Sequence, residues 1–295
     1  MSARNWFLLL ILSILWGGSF FFVEVALEDL QPFTLVFYRI FFAALALTAV
    51  IYCKGQKLPT ALNIWGLFFV MGLLNNVIPF ALIVWGQTQI TGSVASILNA
   101  ATPIFTVLVA HFMTQDERLS LNKIIGILLG FTGVYLLMVP TLEEGLTFKS
   151  YGQIAILGAT ISYAFAGVWG KRLKSCAPSV NASGMLICSS IIMLPLVIIF
   201  DQPFEVTLHT STILSVAAIA FLSTALAYIL YFQILASAGA TNLLLVTFLV
   251  PVSAMALGIL ILGEHVHFMA LLGMAVIFSG LAFIDGRVLK FFKKN

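Results

Sequence analysis

Charge is what this sequence has least of. Only 8% of its 295 residues are Asp, Glu, Lys or Arg, whereas 61% are hydrophobic. A soluble domain carries about 25% charged residues, so this chain cannot cover itself with polar surface and reads as an integral membrane protein. Cysteine is scarce as well. Cys53, Cys176 and Cys188 are odd in number, lack metal-ligand spacing and sit mostly in or beside apolar runs, as small buried hydrophobes do. No stretch is long or polar enough for a soluble domain or a disordered tail. A phosphate-cradling glycine-rich loop is missing, so no ATP drive is encoded, and a Gly-x-Ser-x-Gly elbow is missing too. Glu264-His-Val-His267 is not a metal motif, because histidines at i and i+2 do not share a helical face. Enzyme activity, a metal site and a cofactor are therefore not expected. Arg4 and the apolar run behind it could suggest a secretory signal. No small-x-small cleavage site follows and the run continues to Ala26, so a retained first span is expected.

What the sequence does contain is an internal repeat. Ser93-Val-Ala-Ser-Ile-Leu-Asn99-Ala-Ala-Thr-Pro103 runs into an apolar segment ending at Asp116-Glu117, and a second apolar segment carries Gly126, Phe131 and Gly133. Downstream, Asn242-Leu-Leu-Leu-Val-Thr247-Phe-Leu-Val-Pro251 leads to Gly263-Glu264 and then Gly273, Phe278 and Gly280. Pro103 and Pro251 are 148 apart, while Glu117/Glu264, Gly126/Gly273, Phe131/Phe278 and Gly133/Gly280 are each 147 apart. That offset is half the chain, as two tandem copies of one unit require.

A membrane-crossing helix needs about 20 mostly apolar residues. By that length ten spans are predicted, over roughly 6–27, 33–53, 62–84, 91–113, 121–140, 151–171, 181–200, 211–235, 241–262 and 267–285. Placing the N-terminus in the cytoplasm puts Arg4, Lys54, Lys57, Arg118, Lys123, Lys171, Arg172, Lys174, Arg287, Lys290, Lys293 and Lys294 inside, twelve of the 14 basic residues. Lys149 alone falls outside, Arg39 lies within a span, and most acids fall outside, which fits the positive-inside rule. The basic group from Lys171 and the tail from Lys290 also suit anionic lipid. Each half holds five spans, an odd number, so the second half enters the membrane from the opposite side. The expected fold is all-α integral membrane, ten transmembrane helices as two inverted five-helix repeats over residues 1–145 and 146–295. Secondary transporters recur in this form, with the substrate site near the midplane between repeats.

Leu15-Trp-Gly-Gly-Ser-Phe20, Arg39-Ile-Phe-Phe-Ala-Ala44, the Pro103 segment with Glu117 and Gly126 to Gly133, and its echo from Pro251 to Gly280 carry a family likeness. Over its whole length the chain resembles the drug/metabolite transporter superfamily, specifically the ten-span branch with two EamA-type domains. The resemblance implies transport of small metabolites, commonly outward, through a cavity built from the first, third and fourth spans of each half. Its motifs do not separate amino acids from purines or nucleotide-related compounds.

Polar groups within spans are functional candidates because lipid makes them expensive. The repeat offset matches Trp16 with Tyr163, Asn76 with Thr224, Phe80 with Tyr228, and Asn99 with Thr247. These eight form the expected substrate-binding set. Ser96, Asn99, Ala100 and Pro103 share one helical face of span four, and Thr224, Tyr228 and Tyr231 form a comparable stripe. A cavity of aromatics with a few amides and hydroxyls suits a small organic molecule; the alternative is that these groups only glue helices together. Pro103 and Pro251 remove mid-span hydrogen bonds and are expected as hinges or as static bends. Asn75, Asn76 and Pro79 mark a similar weak point in span three. Arg39 is expected either to pair with Glu24, fixing spans one and two, or to meet a substrate carboxylate, with Glu24 as a protonatable coupling site. Glu24 departs from the family, which frequently has a basic residue nearby. Glu117 and Glu264 are expected as helix N-caps, and Gly126-x-x-x-Gly130 with Gly133 as packing within the chain.

The expected function is a secondary transporter, an exporter of small metabolites such as amino acids by alternating access. An importer or passive facilitator, or a membrane sensor or enzyme subunit, are the alternatives. Expected partners are one small-molecule substrate, the lipid bilayer and protons as a candidate coupling ion, with no nucleic acid. A monomer is expected rather than a homodimer. The expected location is a bacterial inner membrane, with both termini cytoplasmic.

Overall fold

In hydrocarbon no water is available to an unpaired peptide group, so a crossing segment satisfies its own backbone by coiling into a helix. That constraint overrides the weak helix propensity of the many Val, Ile and Phe residues here. The computed structural model of the protein describes residues 2–114, 119–143, 145, 147–173, 176–201, 207–243 and 245–286. Among them are nine helices long and apolar enough to cross a membrane. They are α1 (Ala3–Ala26), α2 (Pro32–Cys53), α3 (Leu62–Gln87), α4 (Gly92–Met113), α5 (Leu121–Glu143), α6 (Phe148–Arg172), α7 (Pro178–Asp201), α8 (Thr210–Ala238) and α10 (Phe268–Asp285). The shorter apolar helix α9 (Val246–Leu262) completes the ten. Every expected span is present, with ends shifted by a few residues. The largest shift is in span nine, where a short helical turn, Ala240–Leu243, precedes α9.

Helix boundaries follow local chemistry. Pro32 and Pro178 open α2 and α7, where a missing N–H is harmless. Ser2 and Thr91 cap α1 and α4 through their hydroxyl oxygens. Gly263 and Gly286 close α9 and α10 in the left-handed conformation. The expected capping role of Glu117 lies outside the described residues.

Packing obeys the inverted repeat. The helix α1 packs on α9, and its counterpart α6 packs on α4. The pair α3–α6 has its image in α8–α1, and α2–α8 has its image in α7–α3. Two pairs map onto themselves, α2 with α7 and α5 with α10. At the α5–α10 seam, Gly126 meets Gly280 and Gly133 meets Gly273: a Cβ added to any of the four would lie 2.5–2.6 Å from the facing carbonyl oxygen. Small residues let backbones touch where lipid supplies no hydrophobic drive, so these glycines pack the chain on itself, as their sequence spacing suggested. Around the bundle, side chains such as Leu62, Phe112 and Leu260 are more than four-fifths exposed, an apolar exterior suited to lipid.

Two aspartates tie the halves together at the face opposite the N-terminus. Asp29, between α1 and α2, accepts hydrogen bonds from the Thr212 hydroxyl and the His209 N–H at the start of α8, and pairs with His209 Nδ1 at 2.8 Å. Asp201, ending α7, accepts from the Thr34 N–H at 2.6 Å and its hydroxyl at 2.9 Å, capping α2. The Thr212 hydroxyl, and after it the His209 amide and ring, pull the Asp29 carboxyl down from 3.8 to about 2. The hydrogen bond and then the charge of Asp29 raise His209 above 6.5.

Two predictions follow from this packing. The lowered Asp29 stabilises the fold above 3.8 and loses that contribution as pH falls toward about 2. The raised His209 contributes fully below 6.5 and loses its share as pH rises through its folded value. Melting of the detergent-solubilised protein is therefore expected to show the largest advantage over Asp29→Asn between about pH 4 and 6.5, narrowing on both sides. At the α5–α10 seam, Gly133→Leu is expected to destabilise by about 1–3 kcal/mol or more. Gly66→Ala is the control, since nothing lies within 4 Å of its Cβ position, and it leaves the melting temperature unchanged or slightly raised.

Candidate functional site

Where a transmembrane helix departs from regular hydrogen bonding, the freed groups need partners, and three such departures converge here. The turn widens to π-helical geometry at Leu73–Val77 in α3 and at Ala218–Leu226 in α8, equivalent positions of the two repeats. The α4 helix is interrupted after Asn99 and resumes at Thr102. Hydroxyls cover the released carbonyls. Ser162 donates to Leu74 O at 2.7 Å, Thr224 to Ile219 O at 2.9 Å, and Thr102 to Asn99 O at 2.7 Å.

These irregular segments surround a cavity of about 950 Å³ between the repeats. Its wall carries the aromatic side chains of Trp16, Phe20, Phe80, Tyr163, Tyr228, Tyr231 and Phe232. Lys171, Leu173 and Asn181 line its mouth, at the ends of α6 and α7 that share a face with the N-terminus. Its far end is closed by buried Phe20 and Gln87, whose Nε2 donates to Phe20 O at 2.9 Å.

Arg39 is the buried cation of this cavity. It is only 7% exposed, its Nε donates to Thr224 Oγ1 at 3.0 Å, and its guanidinium lies 3.8 Å from the centre of the Phe80 ring. Tyr163 and Tyr228 also bear on it electrostatically. Among the described residues no carboxylate lies within ion-pair distance of Arg39. The expected pairing with Glu24 is not formed. The helices α1 and α2 pack on other partners, and Glu24 instead accepts the Gly92 N–H at 2.9 Å. Cation–π contact and one hydroxyl thus hold this charge in the cavity wall. Across the wall, Asn99 Oδ1 is buried and makes no hydrogen bond within the protein.

Of the eight residues expected to bind substrate, Trp16, Phe80, Asn99, Tyr163, Thr224, Tyr228 and Thr247 line the cavity. Asn76 does not. It is fully buried behind Tyr228, donating to Ser189 Oγ at 3.1 Å and accepting from the Tyr228 hydroxyl at 3.1 Å. The π-turn alters the angular register of α3, so Asn75 faces the cavity and donates to the Tyr228 oxygen at 2.9 Å. Pro251 is buried inside α9 and lines the cavity. Pro103 is not part of the lining and is no mid-helix kink, since it sits in the first turn after the α4 break, where proline needs no N–H. Glu264 caps neither its own loop nor α10, which His267 caps; its carboxylate accepts the Ser93 N–H of α4 at 3.2 Å. Sequence reasoning passed over Gln87, Ser19 and Ser223 in the wall. An amide ending span three was the one available signal, whereas single serines in apolar helices carried none.

Residues 4–139 and 150–285 match the EamA-like transporter family. The chain belongs to that family. This EamA-like transporter is 27% identical over 290 residues to a probable amino-acid metabolite efflux pump of Escherichia coli, covering 95% of the chain and 94% of the relative. It is 26% identical over 291 residues to a probable amino-acid metabolite efflux pump of Salmonella typhimurium, covering 95% and 94%. An uncharacterized transporter of Archaeoglobus fulgidus is 24% identical over 284 residues, covering 95% and 97%. A crystal structure superposes over 100% of both chains with a TM-score of 0.71 at 17% identity, which shows the shared fold. The protein is a multi-pass membrane transporter of the drug/metabolite superfamily.

Asn75 and Asn76 are expected to separate on mutation. Asn76→Ala strands a buried hydroxyl and is expected to cost about 1–3 kcal/mol of stability, read as a lower melting temperature. Asn75→Ala, at the cavity surface, is expected to cost clearly less in the same assay.

Proposed function

We propose that this EamA-like transporter exports small zwitterionic metabolites of the amino-acid class by alternating access. The observation that carries the reading is Arg39, a nearly buried cation in an aromatic cavity with no acid of the protein within ion-pair distance among the described residues. A substrate carboxylate supplies the missing anion and can be gripped by the planar guanidinium. Asn99 adds a polar amide to the same wall. Trp16, Tyr163, Tyr228 and Thr247 form the rest of the site, the aromatics taking an apolar side chain. The amino-acid metabolite efflux named for two relatives supports the same class.

The distribution of basic residues supports cytoplasmic termini in a bacterial inner membrane. The cavity then opens to the cytoplasm, the state in which an exporter loads. The α4 break around Asn99 and the unbonded turn at Pro251 serve as hinges as the halves exchange conformations. Counterflow in proteoliposomes preloaded with pooled amino acids tests this. Saturable exchange of one amino-acid class is expected, and Arg39→Lys is expected to weaken apparent affinity at least about tenfold, roughly 1.4 kcal/mol. Absence of exchange by folded, inserted protein would exclude the amino-acid class.

A further inference from the structure

The carboxyl groups of Glu24, in the last turns of α1, and Glu264, in the α9–α10 loop, converge on adjacent backbone amides of α4. Both rest on the N-terminus of α4, Glu24 on the Gly92 N–H and Glu264 on the Ser93 N–H. One acid comes from each half of the chain. Two glycines leave room for them. A Cβ on Gly92 would lie 3.0 Å from Glu24 Oε2, and one on Gly258 would lie 2.6–2.8 Å from the three carboxyl atoms of Glu264. Beside them stands Gln87, 6% exposed, whose Oε1 makes no hydrogen bond within the protein. Gln87 lines the central cavity on one side and, on the other, a vestibule of about 370 Å³ that also touches Glu24, Lys149, His265 and His267. Gln87 therefore stands between cavity and vestibule, with Phe20 on its cavity side, Glu24 on its vestibule side and Glu264 beside Glu24 on α4.

Like charges held on adjacent amides repel when both are ionised, so an acid pair in one site shares its protons. Resting on the transport reading above, we propose that Glu24 and Glu264 bind one proton between them and latch the cavity shut on the vestibule side, and that loss of this proton to the vestibule opens it. With the proton in place, one carboxyl donates to the other while both accept amide N–H groups of α4. Without it, two carboxylates repel across the seam between α1 and the α9–α10 loop. Among the described residues, other ionisable groups facing the pair are few. Lys149, His265 and His267 share the vestibule, and Glu28 and Asp29 follow Glu24 along the chain, Asp29 held by His209. Of the helices packed on α1, α3 and α9 bring no Asp, Glu, Lys, Arg, His or Tyr, α4 brings only His111 at its opposite end, and α8 brings Tyr228 and Tyr231.

The full-length protein in vesicles, with Cys53, Cys176 and Cys188 replaced, tests this through one reporter cysteine, Ser19→Cys, or Thr102→Cys if the first does not fold. Both positions line the cavity. Labelling by a membrane-impermeant maleimide is measured from each side between pH 5.5 and 8.5, as a rate corrected for thiolate content. From the vestibule side the rate is expected to rise with pH, by at most about tenfold per unit for one linked proton. Glu264→Gln, and separately Glu24→Gln, is expected to flatten that rise, because an amide keeps a neutral donor in place. Labelling from both sides with a flat profile, or with the same slope in the Gln variants, overturns the latch and leaves alternating access standing. Labelling from one side at every pH overturns alternating access and the latch with it.

Discussion

No peptide group can go unbonded in hydrocarbon, and that constraint organises this molecule. It makes every crossing segment a helix, and it confines departures from regular helix to places where something else can bond the freed groups. The π-turns of α3 and α8 and the break in α4 all adjoin the central cavity, where Ser162, Thr224 and Thr102 cover the exposed carbonyls. These irregular turns and the polar side chains that cover them thus adjoin one cavity.

Duplication supplies the frame and departures from symmetry supply the chemistry. The glycine seam of α5 and α10 and the paired π-turns repeat faithfully. The residues of the cavity do not. Arg39 faces no second arginine at the corresponding place of α7, where Leu186 and Ile187 stand, and Trp16 and Asn99 are matched by Tyr163 and Thr247. A cavity with one buried arginine and no counterpart to it has a polar direction, which a substrate bearing one carboxylate can follow.

Much of this was legible from residue order. Ten apolar runs, the 147-residue offset and the one-sided distribution of Lys and Arg specify ten helices in two inverted repeats. Seven of the eight residues projected by the offset line the cavity. Asn76 failed because a π-turn changes the face a residue presents, and nothing in Leu73-Leu-Asn-Asn-Val77 announces that turn. The Glu24–Arg39 pair failed because neighbouring spans in sequence need not pack together, and here α1 leans on α9 and α8 while α2 leans on α7 and α8.

Composition and periodicity by themselves determined that this chain is a membrane protein, how many times it crosses and how its halves are related, since those follow from transfer energies and span length that each segment carries alone. Which acids share an amide pair, which amide faces the cavity and which cation is buried against an aromatic ring were decided only by tertiary structure. Glu24 and Glu264, 240 residues apart, come together on the start of α4, and Arg39 finds Thr224 and Phe80, through helix packing that no local pattern encodes.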